Sequence, residues 1–159
     1  MKDLIFRGRR LDNGEWVTGG SILQLMNNGT PEAYIVGSGT LCVDTHEEDT
    51  GNIVGLDACL FCKVDPETVG QYIGMKDKER NLIFEGDVIS AHFDEFDPDD
   101  ETILYIKWCS FMWNAVEPAH ECAPDPVFES DGELWTVIGN IHDNPELIGI
   151  DGKEMSDGE

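Results

Sequence analysis

The chain reads as a succession of short apolar runs separated by turn residues, with no sustained 3.6-residue period. Ser21-Ile22-Leu23-Gln24-Leu25-Met26, Ala33-Tyr34-Ile35-Val36, Ala58-Cys59-Leu60-Phe61-Cys62-Lys63-Val64, Thr102 to Trp108 and Leu134 to Ile141 are short and mostly rich in β-branched or aromatic residues. That pattern predicts strands. Leu4 to Phe6, Glu15 to Thr18, Gln71 to Ile73, Leu82 to Phe84 and Glu85 to Ile89 extend the series. No stretch announces a helix, and only Phe111 to Val116 leaves room for a short one.

Turn chemistry punctuates these runs. Asn13-Gly14 predicts a tight type I′ hairpin, because both residues tolerate positive φ, and Asn27-Asn28-Gly29 marks a second reversal. Lys78-Glu79-Arg80-Asn81 reads as the turn between Ile73 and Leu82, and Asn144-Pro145 as a further turn. Three stretches read as loops: Asp44 to Asn52, the six carboxylates within Asp94 to Glu101, and Glu117 to Glu129 with its three prolines. The tail from residue 149 to 159 has little to bury and is expected to fray.

Composition narrows the function classes. The chain has 159 residues, 40% of them apolar, with four Trp, three Tyr and seven Phe, enough to build an ordered core despite the excess of acid. Its 33 acidic and 10 basic residues give a net charge of −23, which repels nucleic-acid phosphates and anionic lipid at long range. Direct nucleic-acid binding and membrane binding are therefore disfavoured. No apolar run is long enough for a membrane helix, and charge interrupts Met1-Lys2-Asp3-Leu4-Ile5-Phe6-Arg7 too early for a signal peptide, so a cytoplasmic location is expected. Lys2, Arg7, Arg9 and Arg10 form a small basic end expected to meet acidic neighbours. Five cysteines, odd in number and irregularly spaced, predict reduced thiols.

Candidate chemistry is sparse. Cys59-x-x-Cys62 together with His120-Glu121-Cys122 supplies the candidate zinc ligands Cys59, Cys62, His120 and Cys122. Leu60-Phe61 between the first pair is unlike a zinc knuckle, and within one strand Cys59 and Cys62 would face opposite ways, so buried thiols are the stronger reading. The acidic runs from Asp44 and from Asp94 lack the spacing of an EF-hand loop. Gly37-Ser38-Gly39 lacks the third glycine of a dinucleotide fingerprint. His46, His92, His120 and His142 have no sequence neighbour marking a general base. No catalytic residue and no cofactor are expected. Trp108, Phe111, Met112 and Trp113 form the densest aromatic cluster, to be read first as core and second as an interface anchor.

Three blocks in order resemble the YopX-like proteins of phages and prophages: Lys2 to Arg10 with Asn13 to Gly19; Val64 to Lys78 running on to Ile83-Phe84-Glu85-Gly86-Asp87-Val88-Ile89; and Trp135 to Leu147. The chain departs from that pattern at Lys78-Glu79-Arg80-Asn81, where relatives tend to place an Asn-Gly turn, and after Phe93. The family has no established activity and brings no catalytic or ligand residues. Gly70, Gly74, Gly86 and Gly139 in these blocks read as backbone devices. The resemblance implies a mainly β (α+β) fold: an N-terminal mixed subdomain over 1–64, an SH3-like small β-barrel over 65–148, and the tail. A non-enzymatic protein-binding accessory protein of a bacterial host's cytoplasm is the leading functional expectation, with homo-oligomerisation left open. The alternatives are an acidic DNA-mimic inhibitor of a host nucleic-acid enzyme and a small-barrel nucleic-acid-binding protein.

Overall fold

A computed structural model describes residues 4–37, 42–47, 53–59, 61–92, 101–120 and 125–149. Among these the chain is mainly β and antiparallel, with short 3-10 turns and no α-helix. It divides into two compact units, Met1–Gln71 and Tyr72–Glu159.

The first unit holds β1 (Phe6–Arg9), β2 (Trp16–Gly19), β3 (Ser21–Asn27), β4 (Thr30–Val36), β5 (Cys42–Glu47), β6 (Ile53–Cys59), β7 (Phe61–Val64) and the start of β8 (Gly70–Lys76). β1 and β2 form a hairpin, β3, β4 and β7 form an antiparallel sheet in that order, and β5 pairs with β6. The period-2 alternation of β4 and β7 places Ala33, Ile35, Cys62 and Val64 on one buried face, where they pack with Val17, Phe6, Ile22 and Val69. The opposite face carries Leu23, Tyr34 and Lys63 in cross-strand register.

Three local expectations are corrected in this unit. The Asn13-Gly14 hairpin is not a two-residue type I′ turn: only Gly14 has positive φ (75°), and the loop is longer, closed by Arg10 N donating to Glu15 O at 2.9 Å. Local side-chain bonds win there, since Asn13 Oδ1 accepts from Glu15 N at 3.0 Å and the Arg10 guanidinium binds Asp12. The run from Ala58 to Val64 belongs to two strands, β6 and β7, and Asp44 to Glu47 lie in β5 rather than in a loop. Backbone pairing to β6 outweighs the polar composition of β5. At Asn28-Gly29 the expected reversal is present, with φ of 50° and 83° between the paired Asn27 and Thr30.

Glu32 on β4 accepts from Lys63 Nζ at 2.8 Å, Tyr34 OH at 2.8 Å and Asn27 Nδ2 at 3.3 Å. The Lys63 bond first, then those of Tyr34 and Asn27, lower its carboxyl from 4.5 to about 2. Because the folded value lies below the unfolded one, this contribution to stability is complete above pH 4.5 and disappears as pH falls through about 2. NMR titration of the Glu32 side chain is expected to show a midpoint near 2, moving toward 4.5 in Lys63→Ala. An ordinary midpoint in the native chain would refute the network.

The second unit continues β8 from Tyr72 and adds β9 (Leu82–Phe84), β10 (Asp87–His92), β11 (Glu101–Cys109), β12 (Met112–Val116), β13 (Asp125–Pro126) and β14 (Trp135–Asn140). Five strands form an antiparallel sheet in the order β13-β12-β11-β10-β14. Register assigns its two faces: Ile89, Leu104, Ile106, Ala115 and Trp135 pack on one side with Ile73, Met75 and Ile83, while Val88, Tyr105 and Val116 pack on the other with Ile148. Central β10 is thus buried on both faces, which is why its sequence shows no clean alternation. Gly74 and Gly86 adopt φ of 91° and 81°. At Gly139 a Cβ would lie 2.5 Å from Asn144 Oδ1, so that glycine admits a close approach.

The reversal at Lys78 to Asn81 is wound around one carboxylate. Asp77, 3% exposed, accepts through Oδ1 from Glu79 N (2.9 Å) and Asn81 N (2.8 Å), and through Oδ2 from Asn81 Nδ2 (3.0 Å) and Val137 N (3.1 Å). This Asx-type winding takes the place of an Asn-Gly turn and puts Arg80 at φ 74°.

Candidate functional site

Phe111 to Val116, where the sequence left room for a short helix, belong to a hairpin. β11 and β12 pair from Tyr105–Val116 out to Cys109–Met112, leaving Ser110 and Phe111 as a two-residue turn with φ of 52° and 65°. Neither residue type favours left-handed backbone, so the conformation is imposed by what flanks it. Trp108 and Trp113 are directly opposed in register, and their rings meet edge-on with centroids 4.7 Å apart. Buried Asn114 donates through Nδ2 to Cys109 O and to Met112 O, both at 2.9 Å, tying the two ends of the turn together. A local aromatic run with helical potential therefore yields to pairing that begins at Tyr105.

The result is an apolar tip. Phe111 is 93% exposed, Trp108 48% and Met112 45%, with Trp113 half-buried against Trp108 and the core side of the sheet. All four aromatic-cluster residues singled out in the sequence thus lie on one hairpin. Sequence reasoning missed Asn114, whose only signal was a polar residue inside an otherwise apolar strand.

The zinc candidates are placed as follows. Cys59 ends β6 and Cys62 is the second residue of β7, both in the first unit; His120 ends a 3-10 turn in the second unit, and Cys122 lies outside the described residues. Cys62 is buried and disulfide-bonded, a correction to the reduced thiol expected there. An odd cysteine count does not exclude a pair, and chain spacing alone does not reveal one. Among the described residues no group of three or more His, Cys, Asp or Glu is placed to hold a metal ion. At the basic end, Arg10 meets Asp12 as expected, while the Arg7 guanidinium lies 4.9 Å from the centroid of the Trp16 ring; Lys2 lies outside the described residues, as do most of the Asp94 acidic run and the tail beyond Gly149. No helix among the described residues is long and apolar enough to cross a membrane.

The fold and the tip define a mainly β protein of antiparallel sheets bearing an exposed aromatic hairpin. The family model described as YopX protein matches residues 5–149, and the chain belongs to that family. It is similar to protein EF1440 from Enterococcus faecalis, known from a crystal structure, with 18% identity and a TM-score of 0.41 over 91% of this chain and 97% of that one. No curated protein matches the chain.

Proposed function

We propose that this chain is a phage- or prophage-encoded accessory protein without catalytic activity, which binds another protein in the bacterial cytoplasm through the Ser110–Phe111 hairpin tip. In this reading the second unit is an SH3-like small barrel and the first an N-terminal mixed subdomain, as the family resemblance implies. One observation carries the binding role: a phenylalanine, 93% exposed, occupies a left-handed turn position that glycine or asparagine would fill with less strain. Folding gains nothing from that choice, whereas an aromatic side chain presented on a rigid hairpin suits insertion into a partner's pocket. The net charge of −23 selects a partner whose pocket has a basic rim.

The test separates binding from folding. Phe111→Gly is expected to leave stability unchanged or raise it by up to about 1 kcal/mol. The same change is expected to weaken binding of the captured bacterial protein by roughly tenfold or more. Equal affinity for the two chains would remove the tip from the argument. A DNA-mimicking inhibitor is the second reading, favoured by the same −23 charge; it predicts binding indifferent to Phe111→Gly and lost as salt is raised.

A further inference from the structure

We infer that this chain forms a two-fold dimer by pairing the open edge of β3 antiparallel with the same strand of a second copy, so that two three-stranded sheets become one. β3 ends the order β3-β4-β7, and among the described residues no strand pairs with its outer side. Two other edges are covered. β7, at the opposite end of the same sheet, is met by the segment that follows β1: Leu11 N donates to Lys63 O at 3.4 Å, Asp65 N to Arg9 O at 2.8 Å, and Arg10 bridges Val64. β14, at the end of the larger sheet, is closed by the Asp77 turn, with Lys78 N donating to Trp135 O at 3.0 Å and Val137 N to Asp77 Oδ2 at 3.1 Å. An edge left open is usually guarded by a charge, a proline or a bulge. Ser21-Ile22-Leu23-Gln24-Leu25-Met26-Asn27 has none of these: it is uncharged, pairs with β4 without a register shift, and is exposed at every residue except half-buried Ile22.

The sequence of the strand selects a second copy as the occupant. About Gln24 it reads nearly alike in both directions: Leu23 and Leu25 flank the centre, then Ile22 and Met26, then Ser21 and Asn27. A two-fold axis at Gln24 therefore sets leucine against leucine, Ile22 against Met26 and Ser21 against Asn27, the self-complementarity that an isologous contact requires. The backbone agrees with that axis. The two-residue Asn28-Gly29 turn makes Asn27 and Thr30 a pair that exchanges hydrogen bonds, and antiparallel alternation then directs the N–H and C=O of Ile22, Gln24 and Met26 outward. Pro31, opposite Met26, fits this alternation, since it has no N–H to give. With Gln24 facing its own copy, the inter-chain pairs fall on these outward-directed residues and give about six backbone bonds. Leu23, Leu25 and Met26, exposed at 40%, 47% and 71%, lose water on contact. Charge does not oppose the approach at this edge. No charged side chain lies between Trp16 and Pro31, Glu32 is answered by Lys63, and the remaining field of the −23 chain is screened beyond about 8 Å at 0.15 M salt. A basic partner segment, by contrast, would find no carboxylate on this strand to pair with.

Sedimentation of the full-length chain at about 0.15 M salt, loaded from about 10 µM to about 1 mM as a small interface requires, is expected to pass from monomer to dimer. Over the same range, hydrogen exchange of the Ile22, Gln24 and Met26 amides is expected to slow roughly tenfold or more, whereas Leu23 and Leu25, already bonded within the hairpin, should change little. Gln24→Pro removes only an outward N–H, so β3 and β4 stay paired while dimerisation is lost. Leu23→Glu is expected to weaken the dimer roughly tenfold or more, and Leu25→Lys added to it to restore association, because the axis sets positions 23 and 25 opposite one another. A strand that had merely misfolded would not be rescued in this way. Four results would overturn the proposal: a chain that stays monomeric across the range, a dimer indifferent to Gln24→Pro, a double variant no better than Leu23→Glu, or slow exchange of the three outward amides already in the monomer, which would give the edge to another segment of the same chain. Phe111 belongs to the second unit and β3 to the first, so this inference and the hairpin-tip reading fail independently.

Discussion

Asp77→Ala is expected to lower the stability of the protein by about 3 kcal/mol, seen as a reduced urea midpoint. The carboxylate is 3% exposed and is the common acceptor for two amides of its own turn, the Asn81 side chain and, sixty residues away, Val137 N on β14. Alanine would strip all four donors at once, and those that remain buried would have no replacement partner. Asp77→Asn is the informative control. Its one remaining carbonyl oxygen can keep the turn bonds from Glu79 N and Asn81 N, but the new amide group faces Val137 N and Asn81 Nδ2 with a donor instead of an acceptor. A loss about half that of alanine is expected, and an equal loss would mean that the two bonds to Oδ2, from Val137 N and Asn81 Nδ2, carry the effect.

The same residue predicts an acid dependence. Burial works to raise the Asp77 carboxyl, but the bonds from Val137 N, from the Asn81 side chain and amide, and from Glu79 N outweigh it and hold the group below its ordinary 3.8. A depressed folded value means that stabilisation is complete above pH 3.8 and is lost as pH falls through the folded value. The urea midpoint of the native chain should therefore fall more steeply in acid than that of Asp77→Ala.

What the sequence announced and what it concealed divide along a physical line. Asn28-Gly29 was legible because both residues carry the required backbone preference themselves, whatever surrounds them. β10 and β11 were legible because burial on two faces demands unbroken or alternating apolar residues within the segment. Ser110-Phe111 was not, since its left-handed geometry is dictated by the Trp108–Trp113 pair and by the Asn114 side chain rather than by the turn residues. The aromatic cluster could be named from the sequence; that it forms a tip could not. The winding of the Lys78 to Asn81 reversal was hidden too, because the inward turn of Asp77 depends on Val137, sixty residues away.

Trp135→Ala is expected to cost about 4 kcal/mol, the largest effect of any single change considered. Trp135 is 2% exposed and packs in the core with Ile73, Met75, Ile83, Ile89 and Ile106, while its carbonyl oxygen accepts from Lys78 N at 3.0 Å. Removing the ring would open a cavity among residues drawn from β8, β9, β10 and β11, which cannot all collapse toward it. Trp135→Phe makes the argument sharper. Phenylalanine leaves a smaller void and also removes the indole N–H, which is buried with no hydrogen-bond partner among the described residues. Relief of that unsatisfied donor offsets part of the lost packing, so a cost of only about 1 kcal/mol is expected. If phenylalanine proved nearly as damaging as alanine in urea denaturation, the indole N–H would have to be making a bond that stabilises the core, and the packing account of this position would fail.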